Sequence, residues 1–381
     1  MNFAFDETTE AYRASVARFA AERLAPHYQD SDRSGRIRAA LREELAAVGL
    51  LGLRVPERCG GQEASAVATG AAIEEVARAD LSAAYVVLLA ALDAEILAGA
   101  AHPDHEAGWL ADIAQGRALP CLALTEAEHG SDATSIAMRA EPDGEGWALY
   151  GEKTSVSLGL HADTAVVFAR TGDGGPGGVS AFYVELEDPR VARTAFSDLG
   201  SRAIGRAALH FDGLPVGRER LLGAEGEGIT RVLRGFGFSR ALIGLMCVAA
   251  AGASLQEALA WARERRAFGQ PIGRFQGVAF PLAEHATFLR AARLLCLEAL
   301  WCRDAGLDPA LPANMAKWWA PLAAVRAAHD ALLAFGHAGY SEELPLAQRL
   351  RDLIGLEVGD GTAQVAKLVV SRHLLGRSAA P

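Results

Sequence analysis

What the chain lacks narrows the possibilities first. Only five of its 381 residues are cysteine, an odd number with no Cys-x-x-Cys spacing. Neither a disulfide framework nor a thiolate metal cage is expected, and Cys59, Cys121, Cys247, Cys296 and Cys302 read as buried, reduced thiols. Positive charge is short: 37 Lys and Arg against 47 Asp and Glu leave a net charge of −10. That balance argues against a nucleic-acid partner and against an anionic membrane surface. The longest apolar stretches, such as 241–251 with its Gly244, read as too short to cross a bilayer. The opening MNFAFDETTE is acidic, without a basic lead or an apolar core, so no signal or transit peptide is expected and the cytoplasm is the expected location. No Gly-x-Gly-x-x-Gly follows a strand-like run, which removes a dinucleotide-binding Rossmann unit. The ten histidines form no His-Glu-x-x-His. His102 and His105 flank Pro103–Asp104, which reads as an interhelix loop, and no metal is expected.

What is there divides into three parts. The length suggests two or three domains at roughly 150 residues each. Up to about residue 119 the pattern is helical, with apolar residues at helical spacing in 8–24, ending before Pro26, and in 38–48. Two alanine-rich helices follow near 64–79 and 82–98, after a turn-rich connection around Pro56 and Gly60–Gly61. From 120 to 225 the pattern changes to short alternating runs (147–150, 164–169, 180–185, 208–211) separated by Gly and Asp clusters. This is a β-domain, barrel-like and without the βαβ alternation. From 226 to 381 five helical segments with short links (229–265, 278–305, 313–335, 346–358, 361–375) read as an antiparallel bundle. The fold class expected is mainly α with a middle β-domain, flanked by an N-terminal helical domain and a C-terminal helical bundle.

The chemistry-bearing stretches lie in this frame. CLALTEAEHGSD (121–132) is an apolar strand end followed by a turn with Gly130, Ser131 and Asp132, and GEKTSVSLG (151–159) comes about thirty residues later. ARERRAFGQPIGRFQGVAFPLAE (262–284), FGHAGY (335–340) and LRDLIGLEVGDGTAQVAKLVVSRHLLG (350–376) follow in the bundle. In this order and spacing, over nearly the whole chain, these motifs resemble the acyl-CoA dehydrogenase family. The resemblance implies FAD as cofactor. It places Leu122, Leu124 and Thr125 beside the flavin and Gly130 and Ser131 at the pyrophosphate, where backbone N–H groups and a hydroxyl suit a doubly charged group. It places Arg265, Phe268 and Gln276 against the FAD of a neighbouring subunit, Thr362 and Gln364 on its adenine side, and Gly336 in the glycine-rich turn. A homodimer or homotetramer is therefore expected.

Two departures carry chemistry. In the family a tryptophan follows the Lys-Thr pair and walls one side of the flavin; here Ser155 follows Lys153–Thr154, which either opens space for substrate or oxygen or weakens the cofactor site. Ser157 stands where the family has threonine and keeps the hydroxyl. The family's usual base is a glutamate before Gly-Thr; here Asp360 precedes Gly361–Thr362. A carboxylate suits the task, because the base removes the α-proton of a thioester while a hydride leaves the β-carbon. Aspartate is one methylene shorter, so the base is either repositioned or weakened. The competing reading is that Asp360 caps the last helix. Some members place the base before an arginine on an earlier bundle helix; that position is Ser239, before Arg240. Arg240, a charge in an apolar stretch, either pairs with an acid or shapes the acyl pocket together with Gly361. The glycine turn departs too: Leu333 and His337 replace the usual Gln and second Gly.

The expected function is FAD-dependent α,β-dehydrogenation of an acyl thioester on coenzyme A or an acyl carrier protein, in a specialised biosynthetic pathway. Its electron acceptor would be an electron-transfer flavoprotein or O2. Two alternatives stand beside it: a flavin monooxygenase on the same fold, and a non-catalytic acyl-thioester-binding paralogue.

Overall fold

A computed structural model describes residues 4–376 and 378–381. The N-terminal part holds α1 (Glu7–Phe19), α2 (Tyr28–Ser34), α3 (Leu41–Ala47), α4 (Ala66–Ala79), α5 (Leu81–Leu97) and α6 (Pro103–Ala114). Their starts follow capping chemistry: Asp6, Ser65 and Asp80 accept from the N–H groups of Thr9, Ala68 and Ala83. Two expectations shift here. The first helix does not end before Pro26 but widens into a π turn at Ala20–Leu24 and a 3-10 turn at Ala25–His27, where the missing proline N–H costs nothing. The 102–105 segment is no loop: α6 opens at Pro103, His102 Nδ1 accepts from Asp104 N at 3.3 Å, and His105 stacks on Trp109.

The middle part is a curled seven-stranded sheet of β1 (Pro120–Ala123), β2 (Arg139–Asp143), β3 (Gly146–Val156), β4 (Thr164–Arg170), β5 (Val179–Glu185), β6 (Val191–Ala195) and β7 (Ala207–Val216). The order is β1-β4-β2-β3-β7-β6, with β5 on the other side of β4. β1 runs parallel to β4, Pro120 opposite Thr164 and Ala123 opposite Val167. The unforeseen β2 and β6 expose most of their residues, so neither carries an alternating apolar pattern to read.

The C-terminal part is a bundle of α7 (Gly228–Glu264), α8 (Gln276–Asp304), α9 (Ala310–Ala334), α10 (Leu346–Val358) and α11 (Ala363–Leu375). A hairpin of β8 (Arg266–Ala267) and β9 (Gln270–Pro271) joins α7 to α8. Gly244 lets α7 and α8 close up, since a Cβ there would strike the Cys296 sulfur. The reading of the apolar stretch around 241–251 as too short needs correction. Its helix, Gly228–Glu264, is long and apolar enough to cross a bilayer by composition, with a window of hydropathy 1.6. That window is 94% buried by the surrounding helices, so it is the core helix of the bundle. Asp352 on α10 ties the three parts together: it accepts from the Tyr28 hydroxyl at 2.6 Å and from Ser201 N at 2.5 Å. Burial pushes its carboxyl up to about 7. All five cysteines are free and buried.

Candidate active site

The two sheet motifs meet through a buried ion pair. Lys153, 0% exposed, donates to Leu124 O at 2.9 Å and to Glu126 Oε1 at 2.7 Å, and Thr154 N donates to Thr125 O at 2.8 Å. Burial pulls the Lys153 ammonium down to about 8 against the opposing charge of Glu126. Desolvation pushes the Glu126 carboxyl up, but the Lys153 charge and the N–H groups of Ala137 and Met138 outweigh it and hold it below its ordinary value. The loop beyond Glu126 folds so that the Gly130 Cβ position lies 4.0 Å from the Thr125 methyl.

This loop offers a donor set that suits a phosphate-bearing cofactor. The N–H groups of Gly130 and Ser131 and the hydroxyls of Thr125, Ser131 and Ser157 have no partner among the described residues. Leu122 and Leu124 lie at the end of β1, half-buried and buried. The pairing of β3 with β7 slips between Lys153 and Val156, and in that bulge Ser155 adopts φ +57.

The Ser155 hydroxyl has a partner: Arg206 Nη1 donates to its Oγ at 2.9 Å. The Arg206 guanidinium is gripped by Asp198, with Nε to Oδ2 at 2.9 Å, and lies 4.5 Å over the Phe196 ring. A planar, paired guanidinium on an aromatic ring thus stands beside Ser155. Sequence reading had no signal for it, since Phe196, Asp198 and Arg206 fall in an irregular, polar stretch.

Asp360 sits in the turn between α10 and α11. The competing cap reading is overturned: Thr362 caps α11, its hydroxyl accepting from Val365 N at 3.4 Å. The Asp360 carboxylate turns to α7 instead, where the Ser239 hydroxyl donates to Oδ2. Oδ1 has no partner among the described residues. Arg240 Nε donates to Asp360 O at 3.1 Å and Nη1 to Asn314 Oδ1 at 3.1 Å. A Cβ on Gly361 would lie 3.3 Å from Arg240 Nη2. Buried Lys317 donates to Leu356 O at 3.0 Å, fixing the end of α10. Burial pulls both cations, Arg240 and Lys317, below their ordinary values while Asp360 opposes the shift. Asn314 and Lys317 were missed in the sequence. Their only signal is polarity at one-turn spacing on an otherwise apolar helix face.

Arg265, Phe268, Gln276 and the Gly336 turn lie at the far end of α7, while Thr362 and Gln364 stay beside Asp360 at the start of α11. Arg240 and Arg265 are 25 positions apart along α7 and its cap, about 37 Å at 1.5 Å per residue. The Arg265 guanidinium lies 5.8 Å over Trp261, which stacks on Phe335 at 4.9 Å, so the hairpin and the Gly336 turn meet. Phe268 is 95% exposed. Gln276, Gly336, His337 and Gln364 are exposed as well. Among the described residues six non-glycine positions have positive φ, and Ser155, Phe268 and Asp360 are three of them. Such strain gathers at functional positions.

Comparison with known proteins agrees with this fold. The family models described as acyl-CoA dehydrogenase N-terminal, middle and C-terminal domains match residues 6–117, 121–214 and 226–375. A probable acyl-CoA dehydrogenase of Bacillus subtilis, YngJ, is 32% identical over 98% of this chain and 100% of its own. Butyryl-CoA dehydrogenase from Megasphaera elsdenii superposes with a TM-score of 0.95 at 27% identity, over 98% of this chain and 100% of that one. The prolyl acyl carrier protein oxidase AnaB does so with a TM-score of 0.93 at 25% identity, over 97% and 100%.

Proposed function

The chain belongs to the acyl-CoA dehydrogenase family, FAD-dependent oxidoreductases acting on CH–CH bonds, and on that premise we propose that it desaturates an acyl thioester at the α,β position with Asp360 as the base. The observation that carries this reading is the carboxylate of Asp360, one oxygen fixed by Ser239 and the other free. The free Oδ1 takes the α-proton, and Arg240 and Lys317 hold the turn that presents it. FAD supplies the hydride acceptor. Leu122, Leu124, Thr125, Ser155 and Ser157 flank its ring in this reading, and Gly130 and Ser131 hold its pyrophosphate. The working unit is the three-part chain, divided near 119/120 and 225/226.

Arg265, Phe268, Gln276 and Gly336 serve the FAD of a second copy, with Thr362 and Gln364 near the adenine. Two features support a homo-oligomer: the roughly 37 Å between the two ends of the bundle, and a bulky Phe268 held at φ +49 in full solvent. The acyl group rides on coenzyme A or an acyl carrier protein, and the likeness to a prolyl acyl carrier protein oxidase supports a specialised substrate. The electron acceptor is an electron-transfer flavoprotein or O2. Five buried free cysteines fit the cytoplasm.

The test is Asp360→Asn. Its FAD spectrum stays, and anaerobic bleaching of the flavin by an acyl thioester slows about 10²–10⁴-fold, the usual contribution of a positioned base. Full-rate bleaching in that variant removes Asp360 from the chemistry.

A further inference from the structure

Ser239 stands where the resemblance puts the base of other members, yet it has a hydroxyl and no acid. It is fully buried on α7, and its hydroxyl is turned onto Asp360 Oδ2. We propose that Ser239 is a positioning residue for the base: it fixes Asp360 Oδ2 and aims the free Oδ1 at the substrate. This rests on the reading of Asp360 as the base and extends it to a residue that never touches the reacting carbon.

The geometry supports the assignment from three sides. Asp360 has φ +54, a conformation an aspartate keeps only when its surroundings hold it. Its carbonyl is held by Arg240, so the backbone and one carboxylate oxygen are both tied to α7 at adjacent positions, 239 and 240. The side chain is one methylene shorter than glutamate, and a tether to α7 fixes which way that short arm points. Among the described residues Ser239 is the side chain that donates directly to the carboxylate.

In the reaction the C–H bond at the α-carbon breaks and its proton passes to Oδ1. The β-hydrogen leaves as a hydride to the oxidised cofactor, and the α,β double bond forms. Oδ2 keeps the Ser239 hydrogen bond throughout.

The experiment is anaerobic flavin bleaching of Ser239→Ala and Ser239→Thr, with an acyl thioester the parent enzyme turns over, beside Asp360→Asn and the Ser239→Ala/Asp360→Asn double variant. The alanine retains FAD and binds substrate with unchanged affinity. Its bleaching slows about 10- to 100-fold, as expected for a base misplaced by about 1 Å, and Ser239→Thr, which keeps the hydroxyl, recovers most of the rate. In the Asp360→Asn background, Ser239→Ala changes nothing further. A parent-like bleaching rate in Ser239→Ala, with Asp360→Asn still slow, overturns the role of Ser239 and leaves Asp360 as the base. Full-rate bleaching in Asp360→Asn overturns the base reading itself.

Discussion

In the N-terminal half of α7, Ser239 and Arg240 are joined by hydrogen bonds to Asp360 and Asn314 inside the chain. At the other end, Arg265, Phe268 and Gln276 stand in solvent, with no polar partner among the described residues. Both ends hold a residue in the left-handed region, Asp360 at one and Phe268 at the other. The strain at Asp360 is offset within the chain by Ser239 and Arg240. At Phe268 the hairpin pairing of Ala267 with Gln270 and an edge-on contact with Phe275 at 6.1 Å hold the turn. The two-residue turn Phe268–Gly269 has positive φ at both positions, a tight hairpin that aims a phenyl ring outward. The difference separates polar residues that partner one another inside the chain from residues that face outward and, in the reading proposed above, serve a second copy.

The comparison can be broken or sharpened by substitution. The largest effect is expected on the inward side of the sheet, at Lys153→Met. It leaves Glu126 buried without its cation, at a cost of about 3–5 kcal/mol. Chemical denaturation followed by fluorescence measures it, and a loss under 1 kcal/mol would mean that the pair is not what joins the two motifs. Next comes Arg265→Glu on the outward side. It weakens FAD binding by about 10–100-fold through a lost charge-assisted contact, while monomer stability changes by less than about 0.5 kcal/mol. FAD titration and sedimentation check this; unchanged FAD affinity would detach the hairpin from the cofactor.

The smallest effect concerns an inward residue that breaks the pattern. Asp93 on α5 is 0% exposed, and neither carboxylate oxygen has a partner among the described residues. Burial pushes its carboxyl well above the ordinary range. Asp80 and Asp352 are raised the same way, to about 6 and about 7. For such groups the folded state keeps the proton while the unfolded chain gives it up. Stability therefore falls as pH rises from the ordinary carboxylate range near 4 through these folded values. Asp93→Ala is expected to raise stability by about 1 kcal/mol at pH 8, and by less at pH 5. Thermal unfolding at the two pH values reads this, and an equal gain at both would show that Asp93 does not titrate with folding.

Much of the architecture was open to reading in the sequence because it rests on local rules. Helices 346–358 and 66–79 follow apolar spacing, the second with a Ser65 cap, and the strands at 146–156, 164–170 and 179–185 contain the β-rich runs read at 147–150, 164–169 and 180–185. The edge strands at 139–143 and 191–195 were not, since a solvated edge needs no apolar pattern. For the site, the order of motifs identified Thr125, Ser131, Asp360 and Arg265 as candidates. Residue types alone left Asp360 either a base or a cap, and Ser155 either added space or a weakened cofactor site. Tertiary packing removed the cap and gave both side chains partners. It brought Ser239 onto Asp360 across 121 positions, and Arg206 onto Ser155 across 51. Helical period, capping and strand pattern act over a few residues, so the sequence by itself determined the elements and their order. Which hydroxyl meets which carboxylate depends on how distant elements cross, and only the folded chain decided that.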